Sequence, residues 1–176
     1  MTRDWTAAAL SAGFTFAGPL NVSTLTVHED VRAMCAQDRC NRYAKCWTCP
    51  PGCGTLESCQ TQMASYDRGL LVQSLFPLED PLDYPAMLQS EAAHHRLFVA
   101  FCQELRQAYP QLLALGSGGC RLCETCTYPT APCRLPQQAV SSMEAYGLLV
   151  SQVLKANGMG YHYGPNSISF TGCYLF

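Results

Sequence analysis

The spacing of apolar and polar residues changes several times along this chain, and each change predicts an element. Residues 5–12 form a short amphipathic run that reads as a helix, while 14–20 and 22–27 read as short strands around Gly18-Pro19. Residues 27–32 predict a helical turn leading into Cys35. From Cys35 to Cys59 no helical or strand period persists, and Pro50-Pro51-Gly52 with Gly54 predicts a loop wrapped around an organiser. Gly69–Phe76 is the clearest strand, apolar enough for a central place in a sheet. The longest helix is predicted over Tyr84–Tyr109, where Met87, Glu91, His94, Phe98, Phe101 and Leu105 fall at three- and four-residue steps. Gln111–Gly116 reads as a short buried strand that delivers the chain to Cys120.

Ser141-Ser142-Met143-Glu144 has the form of a capping box, which predicts a helix to about Ala156 with Asn157-Gly158 as its stop. Residues 161–163 and 167–176 read as final strands in a hairpin across Gly164-Pro165. Helices thus alternate with strands, and the expectation is an α/β or α+β fold. It would be a single compact domain over 1–176, with a small mixed sheet, flanking helices and two cysteine-rich metal-binding loops.

Composition turns attention to the loops. Ten of the 12 cysteines fall in two groups: Cys35, Cys40, Cys46, Cys49, Cys53 and Cys59, then Cys120, Cys123, Cys126 and Cys133. Hydrophobic residues make up 48%, enough for an ordinary core, so a disulfide scaffold is not needed in place of one. The start of the chain lacks the apolar stretch of a secretory signal, and no run approaches the ~18 apolar residues of a membrane span. A cytoplasmic protein is therefore expected, and in that reducing compartment dense cysteine points to metal or redox chemistry. A net charge of −2 argues against a general nucleic-acid surface. The cations Arg32, Arg39, Arg42, Lys45, Arg121 and Arg134 nevertheless lie within or beside the cysteine groups, where they would raise the potential of an anionic cluster.

The run Cys120-x2-Cys123-x2-Cys126, followed by Cys133 and Pro136, resembles the bacterial ferredoxin pattern, although six residues separate its last two cysteines rather than three. Three sulfurs on one short turn can converge on a cubane [4Fe–4S] cluster, with Cys133 closing the site from farther along. Zinc is the alternative metal, since four thiolates also make a closed structural site. In the first group Cys35, Cys40 and Cys49 form the basic trio. Cys46, Cys53 and Cys59 compete for the fourth position, with Cys53 the first choice and Cys173 a further candidate from the last strand. Cys46-Trp47-Thr48-Cys49 also has the form of a redox dithiol, but without the neighbouring βαβ pattern such a site needs. Cys102 reads as a buried, inert thiol.

These residues together resemble a family of predicted metal-binding proteins, domain of unknown function 2284. The resemblance rests on Cys35, Cys40, Tyr43 and Cys49-Pro50-Pro51, then Cys120, Cys123, Cys126 and Cys133-Arg134 with Pro136, and on Ser142–Gly147. It implies metal binding and leaves the substrate open; the extra Cys46, Cys53 and Cys59 go beyond its pattern.

Three functions stand at this point. The leading one is an iron–sulfur protein, with two [4Fe–4S] clusters, that exchanges electrons with a redox partner protein. The second is an enzyme whose first cluster is open to a small-molecule substrate, for desulfuration, reductive activation or dehydration. His94 and His95 would then serve proton transfer, and Tyr43, Tyr161, His162 and Tyr163 would line a pocket. The third is a zinc-stabilised interaction module.

Overall fold

The computed structural model describes residues 3–176 and shows an α+β fold: five helices and a mixed five-stranded sheet in the order β1-β2-β5-β3-β4. The strands are β1 (Phe16–Leu20), β2 (Gly69–Pro77), β3 (Leu113–Gly116), β4 (Ser141–Ser142) and β5 (Ser167–Leu175). The helices are α1 (Trp5–Ala12), α2 (Glu29–Ala36), α3 (Leu56–Ala64), α4 (Tyr84–Ala108) and α5 (Val150–Ala156). All pairings are antiparallel except β3 with β4.

The two-residue period of the strands explains the layering, because successive side chains point to opposite faces. Leu71, Leu115, Cys173 and Leu175 join α3 and α5 in one core, with Met63, Val153 and Leu154. Leu70, Val72, Ala114 and Tyr174 face the other way, against Ala9 of α1 and Phe98, Phe101 and Leu105 of α4. Both faces are covered, and so β2 reads as a nearly continuous apolar run. Tyr174 sits inside the second core, stacked on Phe98 at 4.4 Å, with its hydroxyl donating to Phe98 O at 2.8 Å. Tyr174→Phe is expected to cost about 1 kcal/mol, read as a lower urea midpoint with an unchanged slope.

Several sequence expectations are corrected. Val22–Thr24 is a 3-10 turn rather than a strand, and only Val27 reaches a partner, a single bridge to Leu148. The segment from Cys35 to Cys59 is not loop throughout. Thr55 caps α3 by accepting from Ser58 N at 3.1 Å, which puts Cys59 on a helix. The helix expected from Ser141 begins only at Val150. Ser142 does act as a cap, its hydroxyl accepting from Ala145 N at 3.0 Å, but the turn it starts is a short 3-10 segment. That turn ends at Gly147, held in the left-handed region at φ 78°. Residues 161–163 form no strand, so the expected hairpin is missing: β5 pairs instead with β2 and β3. Tyr163 serves the core differently, stacking on Phe16 at 5.1 Å and donating to Gln73 Oε1 at 2.6 Å. Among the described residues, no helix is long and apolar enough to cross a membrane.

Candidate metal centre

The chain leaves the sheet at the carboxyl ends of the parallel pair, through Ser117–Cys120 after β3 and Met143–Ala145 after β4. Two cysteine-lined cavities form there. α2 covers the exit of β4: His28 N donates to Gly147 O at 2.8 Å, and Cys35 Sγ lies 3.9 Å from Glu144 O.

The first cavity has a volume of about 320 Å³ and is bordered by Cys35, Cys40, Cys49, Arg39, Tyr43 and Glu144, with Gly118 and Gly119 from the β3 exit. The loop between α2 and Cys49 reverses direction through three left-handed residues: Asp38 (φ 51°), Asn41 (φ 56°) and Ala44 (φ 54°). Asp and Asn tolerate that region better than most residues. Ala44 has no such chemistry and is held there by its N–H bond to Pro50 O at 2.8 Å. Asp38 ties the loop together, accepting from Lys45 Nζ at 2.7 Å and Tyr43 N at 2.8 Å. The Lys45 bond, then the backbone bond, hold its carboxyl below the usual range. Glu144 is exposed on the cavity side, yet crowding by protein atoms pushes its pKa up.

The second cavity brings together all four thiols of the later run, Cys120, Cys123, Cys126 and Cys133, and adds Cys46, Arg42 and Arg134. It is tight, at about 20 Å³. The six extra residues are folded away in a turn: Thr127 O accepts from Thr130 N at 2.9 Å and Ala131 N at 3.0 Å. Thr127 Oγ1 donates to Pro132 O at 2.8 Å, returning the chain to Cys133. Arg134 then donates to Thr125 O at 2.8 Å across the mouth. The two cysteine loops dock on each other through Trp47, which donates to Ala131 O at 3.0 Å and meets Tyr128 edge-on at 4.9 Å.

Cys46 belongs to the first group in sequence but lies with the second in space. It is buried at the second cavity, its sulfur 3.7 Å from Arg42 O and 3.6 Å from Thr48 Oγ1. A hydrogen bond from the Cys49 thiol lowers its pKa most, with Thr48 and the Arg42 charge helping against burial. Cys49 holds the proton of that pair and is raised accordingly. One member borders each cavity, so the pair joins the two sites.

Cys53 does not border the first cavity. Its thiol donates to Ala145 O at 3.4 Å and lies with Cys59, whose thiol is 3.6 Å from Cys53 O. Arg32 serves this pair, with Nη2 3.4 Å from Cys59 Sγ and Nη1 donating to Gly54 O at 2.8 Å. The Cys53 thiol first, and then the Arg32 charge, lower the Cys59 pKa. Cys102 is buried in one core and Cys173 in the other, where burial pushes the Cys173 thiol up to about 12. Neither approaches a cavity lining.

His94 is a core residue, its Nδ1 2.8 Å from Ser74 Oγ and its ring among Phe14, Phe98 and Phe170. His95 borders a third cavity, about 200 Å³, with Glu91, Arg96, Ser117 and Arg121; Gly119 belongs to this cavity and to the first. Tyr161, His162 and Tyr163 border neither cysteine-lined cavity.

Among the described residues, no three His, Cys, Asp or Glu side chains converge on a single-ion position. The four later cysteines line one cavity instead, as an all-thiol donor set without histidine. That set fits a [4Fe–4S] cluster, and it also fits the chemistry of a four-thiolate zinc site.

One family model, described as a predicted metal-binding protein (DUF2284), matches residues 18–176. The chain belongs to that family. The match covers β1 to β5 and both cysteine-lined cavities, so the DUF2284 segment contains the whole candidate site. No curated protein and no solved structure matches the chain. Within this DUF2284 protein, the spacing of Cys120–Cys133 was readable from the sequence. The wall supplied by Gly118, Gly119 and Glu144 was not, because it depends on β3 and β4 running parallel.

Proposed function

We propose that the protein is a cytoplasmic iron–sulfur protein with two [4Fe–4S] centres that exchanges electrons with a redox partner protein. The reading rests chiefly on the gathering of Cys120, Cys123, Cys126 and Cys133 around one cavity with Arg42 and Arg134 beside them. Guanidinium groups next to thiolates lower the cost of adding an electron to an anionic centre. Such a centre supplies a one-electron store when bound. The protein's part is to hold it through four thiolates, to screen it with Arg42 and Arg134, and to keep it close to the first cavity.

Iron is favoured over zinc by the three-residue steps of the run, since zinc sites more often use two separated pairs of cysteines. Cys46 is satisfied locally by Arg42 O and Thr48, which leaves four thiols for the second centre. The Cys46–Cys49 pair, with one member at each cavity, then supports a relay between the centres.

Anaerobic purification tests this reading. Brown protein with iron and acid-labile sulfide in equal amounts is expected, with reversible one-electron reduction followed by electron spin resonance. Colourless protein carrying zinc alone would refute it in favour of the zinc-stabilised interaction module.

A further inference from the structure

We propose that the first centre is held by only three thiolates, Cys35, Cys40 and Cys49, and that the rest of its cavity binds a small α-amino acid between Arg39 and Glu144. The inference rests on the two-centre reading above and deepens it by assigning the far end of the relay a ligand.

Three observations carry it. The first is the fate of every other nearby cysteine. Cys46 borders the second cavity and is bonded to Arg42 O and Thr48. Cys53 and Cys59 are turned to Ala145 O and Arg32. Cys173 is fully buried in the sheet core at 0% exposure. Among the described residues, no fourth cysteine borders the first cavity, so one position of the centre has no sulfur side chain to close it.

The second observation is space. The first cavity measures about 320 Å³ against about 20 Å³ for the second. The larger value lies at the small end of ligand pockets, roughly 300–1,000 Å³. That space has to hold the centre as well, so the ligand it admits is small; the second cavity, with four thiols of its own, offers no such room.

The third observation is charge. Val31, Met34 and Pro50 give the cavity apolar walls, and among the described residues Arg39 and Glu144 are the only Arg, Lys, Asp or Glu side chains on it. Arg39 forms no ion pair among the described residues. A guanidinium suits a carboxylate, which it can grip with two parallel hydrogen bonds. A carboxylate suits an ammonium. One small molecule carries both groups next to each other: an α-amino acid. A plain carboxylic acid would leave Glu144 facing a like charge, and a plain amine would leave Arg39 unused.

L-Serine is the probe, because its hydroxyl cannot reduce or dismantle a cluster. Added to the anaerobic, iron-loaded full chain, it is expected to shift the spin-resonance spectrum of the reduced first centre. Ethanolamine, which lacks the carboxylate, and 3-hydroxypropionate, which lacks the ammonium, are expected to bind at least about tenfold more weakly. Arg39→Gln and Glu144→Gln are each expected to weaken serine binding by a similar factor with iron content unchanged.

Ligand count is read separately. Mild oxidation with ferricyanide is expected to release one Fe(II) and one electron from the three-thiolate centre, the electron passing to ferricyanide, and to leave a three-iron centre with its own resonance. Adding Fe(II) and a reductant should restore it.

Iron-loaded protein that keeps both centres intact in ferricyanide would overturn the proposal. So would loss of the first centre in Cys46→Ser, Cys53→Ser or Cys59→Ser, or equal binding of serine and its two truncated analogues. Protein that takes up no iron would instead remove the two-centre reading itself, and metal analysis before any probe is added separates that case.

Discussion

Cys123→Ser is expected to strip the second centre of its metal, about half of the protein's total, and to leave residues 120–139 open to proteases within minutes. The magnitude follows from how little else holds this segment. Between Gly116 and Ser141 the chain forms no helix or strand, and its order rests on the Thr127 turn, the Arg134–Thr125 bond and the Trp47 contact. Connections longer than ~12–15 residues without structure of their own need an organiser. Four thiolates on one centre would supply it, and metal binding would then become folding free energy for the loop. The effect should spread to β4, which pairs with β3 at only two positions and carries Ser142 and Glu144 into the first cavity. Metal analysis with timed trypsin digestion checks both parts. Cys102→Ala is the matched control: its thiol packs in the α4 core, so metal content and digestion should stay at wild-type levels. Full metal retention by Cys123→Ser would remove this residue from the ligand set.

Legibility in the sequence followed the physics of each element. β2 and α4 were visible because long periodic stretches record which face is buried, and both ends of α4 fell within a residue or so of the expected ones. The helix expected from Ser141 failed because a cap signal is local. Ser142 caps a turn, and the path of the chain beyond it depends on Gly147 turning left-handed so that Leu148 can bridge to Val27, 121 positions earlier by subtraction. α3 was hidden by the density of Cys, Gly and Pro just before it, although Thr55 and Ser58 carried its cap. At the site, the gathering of Cys120, Cys123, Cys126 and Cys133 at one cavity was legible because these cysteines are near in sequence. The allocation of Cys46 and Cys53 was not. Both lie within four residues of Cys49, yet the turns around Pro50 and Gly52 send their sulfurs to different partners. Periodicity along a chain carries no record of such a parting.

His94 is expected to make the protein acid-sensitive well above the range where carboxylates titrate. Its ring is 1% exposed, packed among Phe14, Phe98 and Phe170, with Nδ1 on Ser74 Oγ at 2.8 Å and Nε2 buried without a hydrogen-bond partner. Burial, and then the charge of neighbouring His95, lower its pKa from 6.5 to about 4. A depressed histidine stays neutral in the folded chain while the unfolded chain takes up a proton. Stability from this residue is therefore complete above pH ~6.5 and falls as pH drops towards ~4. At ~1.4 kcal/mol per pH unit, the loss across that window is about 3 kcal/mol. His94→Gln keeps a partner for Ser74 and has nothing to titrate. It should be less stable than wild type at pH 7, where the shaped aromatic pocket is lost, and should show a flatter decline towards pH 4.5. Urea unfolding of both proteins, loaded with the same metal, isolates the His94 contribution as the difference between the two slopes. Parallel slopes would assign the acid sensitivity to other groups and leave His94 as packing alone.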